Sequence, residues 1–304
     1  MRRLVPTALL CALIAPCAAE EPPATPTTAE VLAAASDADW RTLDPDDLLY
    51  LDFGGKRVVV ELADDFAPAH AANIVALARE HWFDGLAIVR SQDNYVVQWG
   101  DPEGDDPERA RPMKQARRSL PPEFDRARTG VRITPVPDGD IYAPRAGFAS
   151  GFPVGWDPAS GRVWLAHCYG MVGAGRGDTA DSGSGAELYA VIGHAPRHLD
   201  RNITLVGRVV HGIEHLATLP RGTGPLGFYE KPDQRVRIDS VRLGSELPGR
   251  QRLPLQSLRT DTETFRALIA ARRHRRESWF LDPVGRVELC NVPLPVRLAP
   301  TGPD

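Results

Sequence analysis

The sequence predicts a mainly β protein, and three observations carry that reading. About seven or eight short β-prone runs follow one another, separated by Gly, Pro, Asn and Asp. Only two stretches show helical periodicity, and they lie far apart in the chain. Strands therefore do not alternate with helices. That disfavours a doubly wound parallel sheet and favours a closed barrel or a sandwich.

The N-terminus comes first. Met1-Arg2-Arg3 is a short basic start, Leu4 to Ala15 is largely apolar, and Pro16-Cys17-Ala18-Ala19 is a run of mostly small residues. This is the three-part layout of a secretory signal peptide, expected over residues 1–19, with export to the periplasm as its consequence. The competing readings are an apolar core helix and a lipid anchor at Cys17, which Pro16 disfavours. No other segment approaches 18 consecutive apolar residues, so no membrane span is expected in the mature chain. Residues 20–45, rich in Pro, Ala and Thr, read as a linker.

From Leu48 the pattern changes. "LLYLDF" and "RVVVEL" flank Gly54-Gly55, a hairpin signal. In "FAPAHAANIVALAREHWFDG", Ala71, Ile74, Val75, Ala78 and Trp82 form a helical stripe, with Pro68 near its start and Gly85 suited to its stop. Strands are expected at Leu86–Ser91 and Tyr95–Gly100. Residues 101–160 are Pro-, Gly-, Asp- and Arg-rich and read as a long excursion, only partly ordered into elements such as "TGVRITPV".

Regularity returns with "RVWLAHCYGMV", a Gly-rich loop from Gly173 to Gly185, "AELYAVIG", "ITLVGRVV" and the amphipathic turn "HGIEHLATL". "QRVRIDSVRLGS" alternates like one half-buried strand. Residues 246–304 form a C-terminal extension with one helix, signalled by the capping box Thr260-x-x-Glu263 and by Phe265, Leu268 and Ile269.

Composition narrows the function. The net charge of −4 leaves no electrostatic footprint for nucleic acid. Cys168 and Cys290 lie outside the leader; they could pair in an oxidising compartment or stand as two buried thiols. "GAGRG" at Gly173–Gly177 lacks the following helix that a phosphate loop needs. His211 and His215 share a helical spacing but have no third metal ligand in sight. "ARRHRRE" reads as a solvated helix face. No G-x-S-x-G stands between a strand and a helix, and Asp181-Ser182-Gly183 lacks the flanking pattern, so hydrolase readings have little support.

The remaining signal is the order of segments from about Leu48 to about Gly244. "IVRSQDNYVVQWGD" at Ile88–Asp101, the Gly-rich stretch "GMVGAGRG", "GSGAELYAVIG" and "HLDRNITLVGRV" together resemble the cyclophilin family of peptidyl-prolyl isomerases. The resemblance implies a closed eight-stranded antiparallel barrel with two flanking helices over residues 46–245, with 101–160 as a divergent insertion.

It also implies a site. Arg90 matches the family's catalytic arginine and Gln98 its pocket glutamine. Tyr95, Val96, Tyr189 and Leu199 match the apolar pocket, His198 the rim, and Gly173 the N-A-G turn. His198, Ile203, Glu187 and Val96 depart from the usual Trp, His, Gln and Met. The implied partners are proline-containing unfolded or folding polypeptides, bound by a monomer that needs no cofactor. A binding or chaperone module with little turnover is the rival expectation.

Overall fold

The computed structural model describes residues 25–300, so the expected signal segment lies outside the described residues. The main sheet has nine strands: β1 (Leu48–Phe53), β2 (Lys56–Leu62), β3 (Ala87–Ser91), β4 (Val96–Gly100), β5 (Met171–Ala174), β6 (Leu188–Val191), β7 (Leu205–His211), β8 (Val236–Arg237) and β9 (Ser240–Leu243). Their order is β8-β3-β4-β6-β5-β7-β2-β1-β9. Every neighbouring pair is antiparallel.

The expected closed barrel of eight strands does not form; the nine strands curl into a half-barrel. The reason lies in "QRVRIDSVRLGS", which is two strands rather than one. Val236–Arg237 pairs with β3 at one edge and Ser240–Leu243 pairs with β1 at the other. Between them the Ile238 N–H donates to the Leu86 carbonyl, while the Asp239 N–H donates to the Asp52 carbonyl. Two residues of chain, rather than a hydrogen-bonded ladder, bridge the edges.

Alternation along the strands builds the core. Leu49, Leu51, Phe53, Val58, Val60, Ile88, Val97, Trp99, Leu188 and Ala190 point inward and are buried. The described residues contain four helices rather than two: α1 (Thr28–Ala33), α2 (Pro68–Arg79), α3 (Ile213–Ala217) and α4 (Glu263–Arg273). The expected stripe of α2 buries Ala71, Ile74 and Ala78, with Trp82 just beyond, while Val75 is only partly covered. The helix stops at Arg79, before the left-handed His81 (φ 55°); Gly85 (φ 74°) instead turns the chain into β3. For α4 the capping residue is Thr262, whose hydroxyl accepts the Phe265 N–H, and Thr260 is buried elsewhere.

The excursion at 101–160 is more ordered than its composition suggests. It supplies Arg126–Ala127, Thr134–Pro135, Arg145–Ala149 and Phe152–Asp157 to a second sheet completed by Arg162–Leu165. Phe148, Val154, Trp156 and Val163 pack there against Phe265, Leu268 and Ile269 of α4. Glycine and proline inside these strands hide them from a pattern reading. Gly155 is required: a Cβ there would fall 2.7 Å from the Trp164 indole nitrogen.

The expected linker is folded over its described part. Val31 of α1 and Leu43 are buried, and Trp40–Thr42 pairs with Leu255–Leu258 of the C-terminal extension. A disulfide joins Cys168 to Cys290. No helix among the described residues is long and apolar enough to cross a membrane.

Candidate active site

Four residues stand opposite one another across four adjacent strands: Arg90 on β3, Gln98 on β4, Tyr189 on β6 and Gly173 on β5. They share the outer face of the curled sheet. One pleat further, Val96 stands opposite Val191. Arg90 and Gln98 converge by cross-strand pairing, through a turn in which Asn94 takes a φ of 51°.

Alternation alone would send Arg90 inward, two residues after the buried Ile88. A bulge between Ile88 and Arg90 makes Ile88 pair with Trp99 and Arg90 with Gln98. The extra residue reverses the side-chain direction and turns the arginine outward.

The guanidinium is held on three sides. Its Nη1 donates to Gln98 Oε1 at 3.0 Å, its Nε donates to the Leu226 carbonyl at 2.6 Å, and its Nη2 donates to Gln92 Oε1. A guanidinium carries five N–H groups, so these three bonds leave about two for another partner. Its carbon lies 5.6 Å from the Tyr95 ring centroid and 5.2 Å from that of Phe228. Burial lowers its proton affinity, yet a guanidinium remains charged.

Beside it lies a small apolar floor. Val96, Tyr189 and Val191 are buried, and Tyr95 and Ile203 pack against them. His198 is exposed at the rim, its ring parallel to Tyr95 with centroids 6.5 Å apart. Leu199, expected in the floor, is half-buried in the turn that carries His198 and is not part of this cluster; Ile203 packs there instead. Gly173 contributes by lacking a side chain, since a Cβ would fall 2.3 Å from the Tyr189 hydroxyl.

The Tyr189 hydroxyl leads into a buried chain of polar groups. It lies 2.9 Å from His167 Nε2, and His167 Nδ1 lies 2.9 Å from Asp200 Oδ1. Arg197 donates to Asp200 Oδ2 at 2.6 Å and grips both Asp140 oxygens at 2.8 and 2.9 Å. Burial pushes the His167 pKa below its ordinary value, against the pull of Asp200. Neutral His167 donates from Nδ1 to the carboxylate, so its Nε2 accepts the tyrosine O–H. Near the other end of the row, burial raises the Glu187 pKa; the hydrogen bond from Gln98 and the charge of Arg90 oppose that rise.

Sequence reasoning missed Gln92, Phe228 and His167. Gln92 sits in the quoted stretch, two residues after Arg90, where a hairpin turn returns it. Phe228 lies in a Gly- and Pro-rich loop that carries no signal of proximity. His167 is the residue before Cys168, and nothing local ties it to Tyr189.

Fold and site together define a rotamase, an enzyme that turns an amide bond without breaking it. A model of the cyclophilin type peptidyl-prolyl cis-trans isomerase/CLD family matches residues 49–243, and the chain belongs to that family. A probable peptidyl-prolyl cis-trans isomerase of Brucella suis is 24% identical over 195 residues, covering 64% of this chain and 82% of the relative. A putative thylakoid lumen peptidyl-prolyl cis-trans isomerase of Synechocystis is 38% identical over 58 residues, 19% of this chain and 15% of that protein. The crystal structure of cyclophilin AquaCyp293 from Hirschia baltica shares the fold, with a TM-score of 0.67 and 23% identity over 90% of this chain and 99% of that one.

Proposed function

We propose that Arg90 stabilises the twisted X–Pro amide of exported polypeptides seated on the floor formed by Tyr95, Val96 and Tyr189. The planar bond is protected by a barrier of about 18–20 kcal/mol. Lowering exchange from tens of seconds to milliseconds takes roughly 10⁴-fold, or about 5.5 kcal/mol. In the twisted state the proline nitrogen loses resonance and gains a lone pair. A guanidinium N–H aimed at that nitrogen binds the twisted state more strongly than the planar one.

One charge-assisted hydrogen bond contributes roughly 1.5–3 kcal/mol, so the arginine accounts for about half of the requirement. Exclusion of water by the apolar floor strengthens its field, and Gln98 fixes its orientation beforehand. The observation that carries this reading is the outward row Arg90–Gln98–Tyr189, with guanidinium N–H groups left over beside an apolar floor.

Arg90→Ala is expected to lower kcat/KM for a proline tetrapeptide at least tenfold with the fold intact. Arg90→Lys should also be impaired, because a point charge cannot hold Gln98 and Gln92 while addressing the substrate. An unchanged rate in an isomerisation assay would remove the assignment. The rival, binding with little turnover, is favoured by the Leu226 carbonyl and Phe228 ring, which occupy one edge and one face of the guanidinium. It predicts peptide affinity without acceleration by the unaltered protein. Export to the periplasm is supported by the layout of residues 1–19 and by the Cys168–Cys290 disulfide, which suits an oxidising compartment. Cell fractionation of the tagged chain tests it.

A further inference from the structure

We propose that the cavity rimmed by Ile141, Tyr142 and Tyr169 is a second binding surface, which takes an apolar side chain from the polypeptide whose prolyl bond occupies the Arg90 groove. This rests on the activity reading above. The cavity encloses about 540 Å³, and its walls include the turn Gly193–Ala195, Arg197 and Cys290. Ile141 is 92% exposed, Tyr142 47% and Tyr169 49%, an apolar cluster left to water at the mouth of one hollow. Such clustering marks a place where something binds.

The Tyr142 ring and the backbone at Tyr169 are held in position. The ring of Tyr142 sits 5.3 Å from the Arg197 guanidinium carbon, and the Tyr142 backbone N–H donates to Asp140 Oδ1. Arg197 and Asp140 are each 2% exposed in their side chains and paired to each other. Tyr169 follows Cys168, whose disulfide partner Cys290 lines the same cavity. Groups fixed in advance lose little freedom when a ligand arrives.

Continuity with the Arg90 groove identifies the occupant. One turn separates the two hollows. On one side the Ile192 N–H donates to the Tyr95 carbonyl, the His194 N–H donates to Asn94 Oδ1, and His198 stacks on Tyr95. On the other side Gly193, His194, Ala195 and Arg197 wall the cavity. The neighbours Arg197 and His198 thus face different hollows. A chain leaving the proline pocket advances ~3.3 Å per extended residue as it crosses this turn. A tetrapeptide fills the pocket alone; a longer chain reaches both.

The test uses the full mature chain with its disulfide intact and an Ile141→Ser/Tyr169→Ser variant. Tyr142 is left in place because its ring rests on Arg197. Three probes are compared: a proline tetrapeptide, a twelve-residue peptide with a tryptophan four residues from its proline on either side, and that peptide with alanine for tryptophan. The expected result is at least a fivefold rise in KM for the tryptophan peptide, less than a twofold change for the other two, and a parallel loss of affinity by fluorescence anisotropy. Equal effects on all three probes, or none, overturn the proposal. So does a change in sedimentation coefficient, which would make the patch an interface between copies. Absence of turnover by the unaltered protein would sink the activity reading alone; anisotropy with the tryptophan and alanine peptides still decides whether the cavity binds.

Discussion

The site depends on residues whose roles follow from what stands opposite them. Gly173 is the clearest case. A methyl group there would lie 2.4 Å from the Tyr189 ring carbon bearing the hydroxyl, and that ring is held by His167. Gly173→Ala is expected to cost about 1–3 kcal/mol by overpacking and to lower tetrapeptide turnover by displacing the pocket floor. Denaturant unfolding and the peptide assay read the two effects. His167 makes a pH prediction. Its folded pKa lies below the ordinary 6.5, so the unfolded chain binds more protons at mildly acid pH. The stability that neutral His167 contributes is present above about 6.5 and is lost as pH falls through the folded value. His167→Gln should flatten that part of the stability profile; an unaltered acid slope would show that another group causes it.

Among elements, two contacts between neighbours matter most. The hairpin of β3 and β4 places Arg90 through its bulge and its turn. The pair β2 and β7 sets Glu61 opposite Arg208, both buried, with Arg208 Nε 3.2 Å from Glu61 Oε2. Arg41 reaches the other Glu61 oxygen at 2.5 Å, and Arg208 also donates to Ser257 at 2.8 Å. This cluster ties the main sheet to the N-terminal strand and to the C-terminal extension. Glu61→Ala leaves Arg208 without its countercharge and is expected to destabilise the fold by about 3–5 kcal/mol. Guanidinium chloride unfolding, followed by tryptophan fluorescence, provides the check. A cost below about 1 kcal/mol would mean the cluster relaxes into solvent.

At the scale of the whole molecule, the second sheet, the N-terminal helix and the C-terminal extension form one packed layer beside the half-barrel. The Cys168–Cys290 bond closes a loop of 122 residues between them. In the chain-entropy model that constraint stabilises the fold by up to about 5 kcal/mol. Reduction should therefore lower the unfolding midpoint markedly while leaving Arg90 and Gln98, which lie on other strands, in register. A reduced protein with an unshifted midpoint would show that packing of α4 and the second sheet already supplies the constraint. Asp47, in the crevice between the layers, adds a pH term of opposite sense to His167. Burial and the nearby acids Asp64 and Asp44 raise its pKa to about 6. Its favourable contribution is complete below the ordinary 3.8 and is lost as pH rises through about 6.

The row Arg90, Gln98, Tyr189 and Gly173 was legible only through the resemblance to the cyclophilins; the sequence by itself determined the mainly β class, the first hairpin, α2 and the strands flanking the turn after Ser91. These are local matters. Period-two burial, a proline near a helix start and glycine at positive φ act within a few residues and leave marks in the chain. Tertiary structure decided the rest: nine strands in a half-barrel, a second sheet built from a stretch that reads as irregular, the pairing of Cys168 with Cys290, Ile203 rather than Leu199 against the pocket floor, and Phe228 over the guanidinium. Above all it decided the bulge that turns Arg90 outward. A one-residue slip between strands reverses every side chain beyond it, and the choice of register belongs to packing summed over the whole sheet.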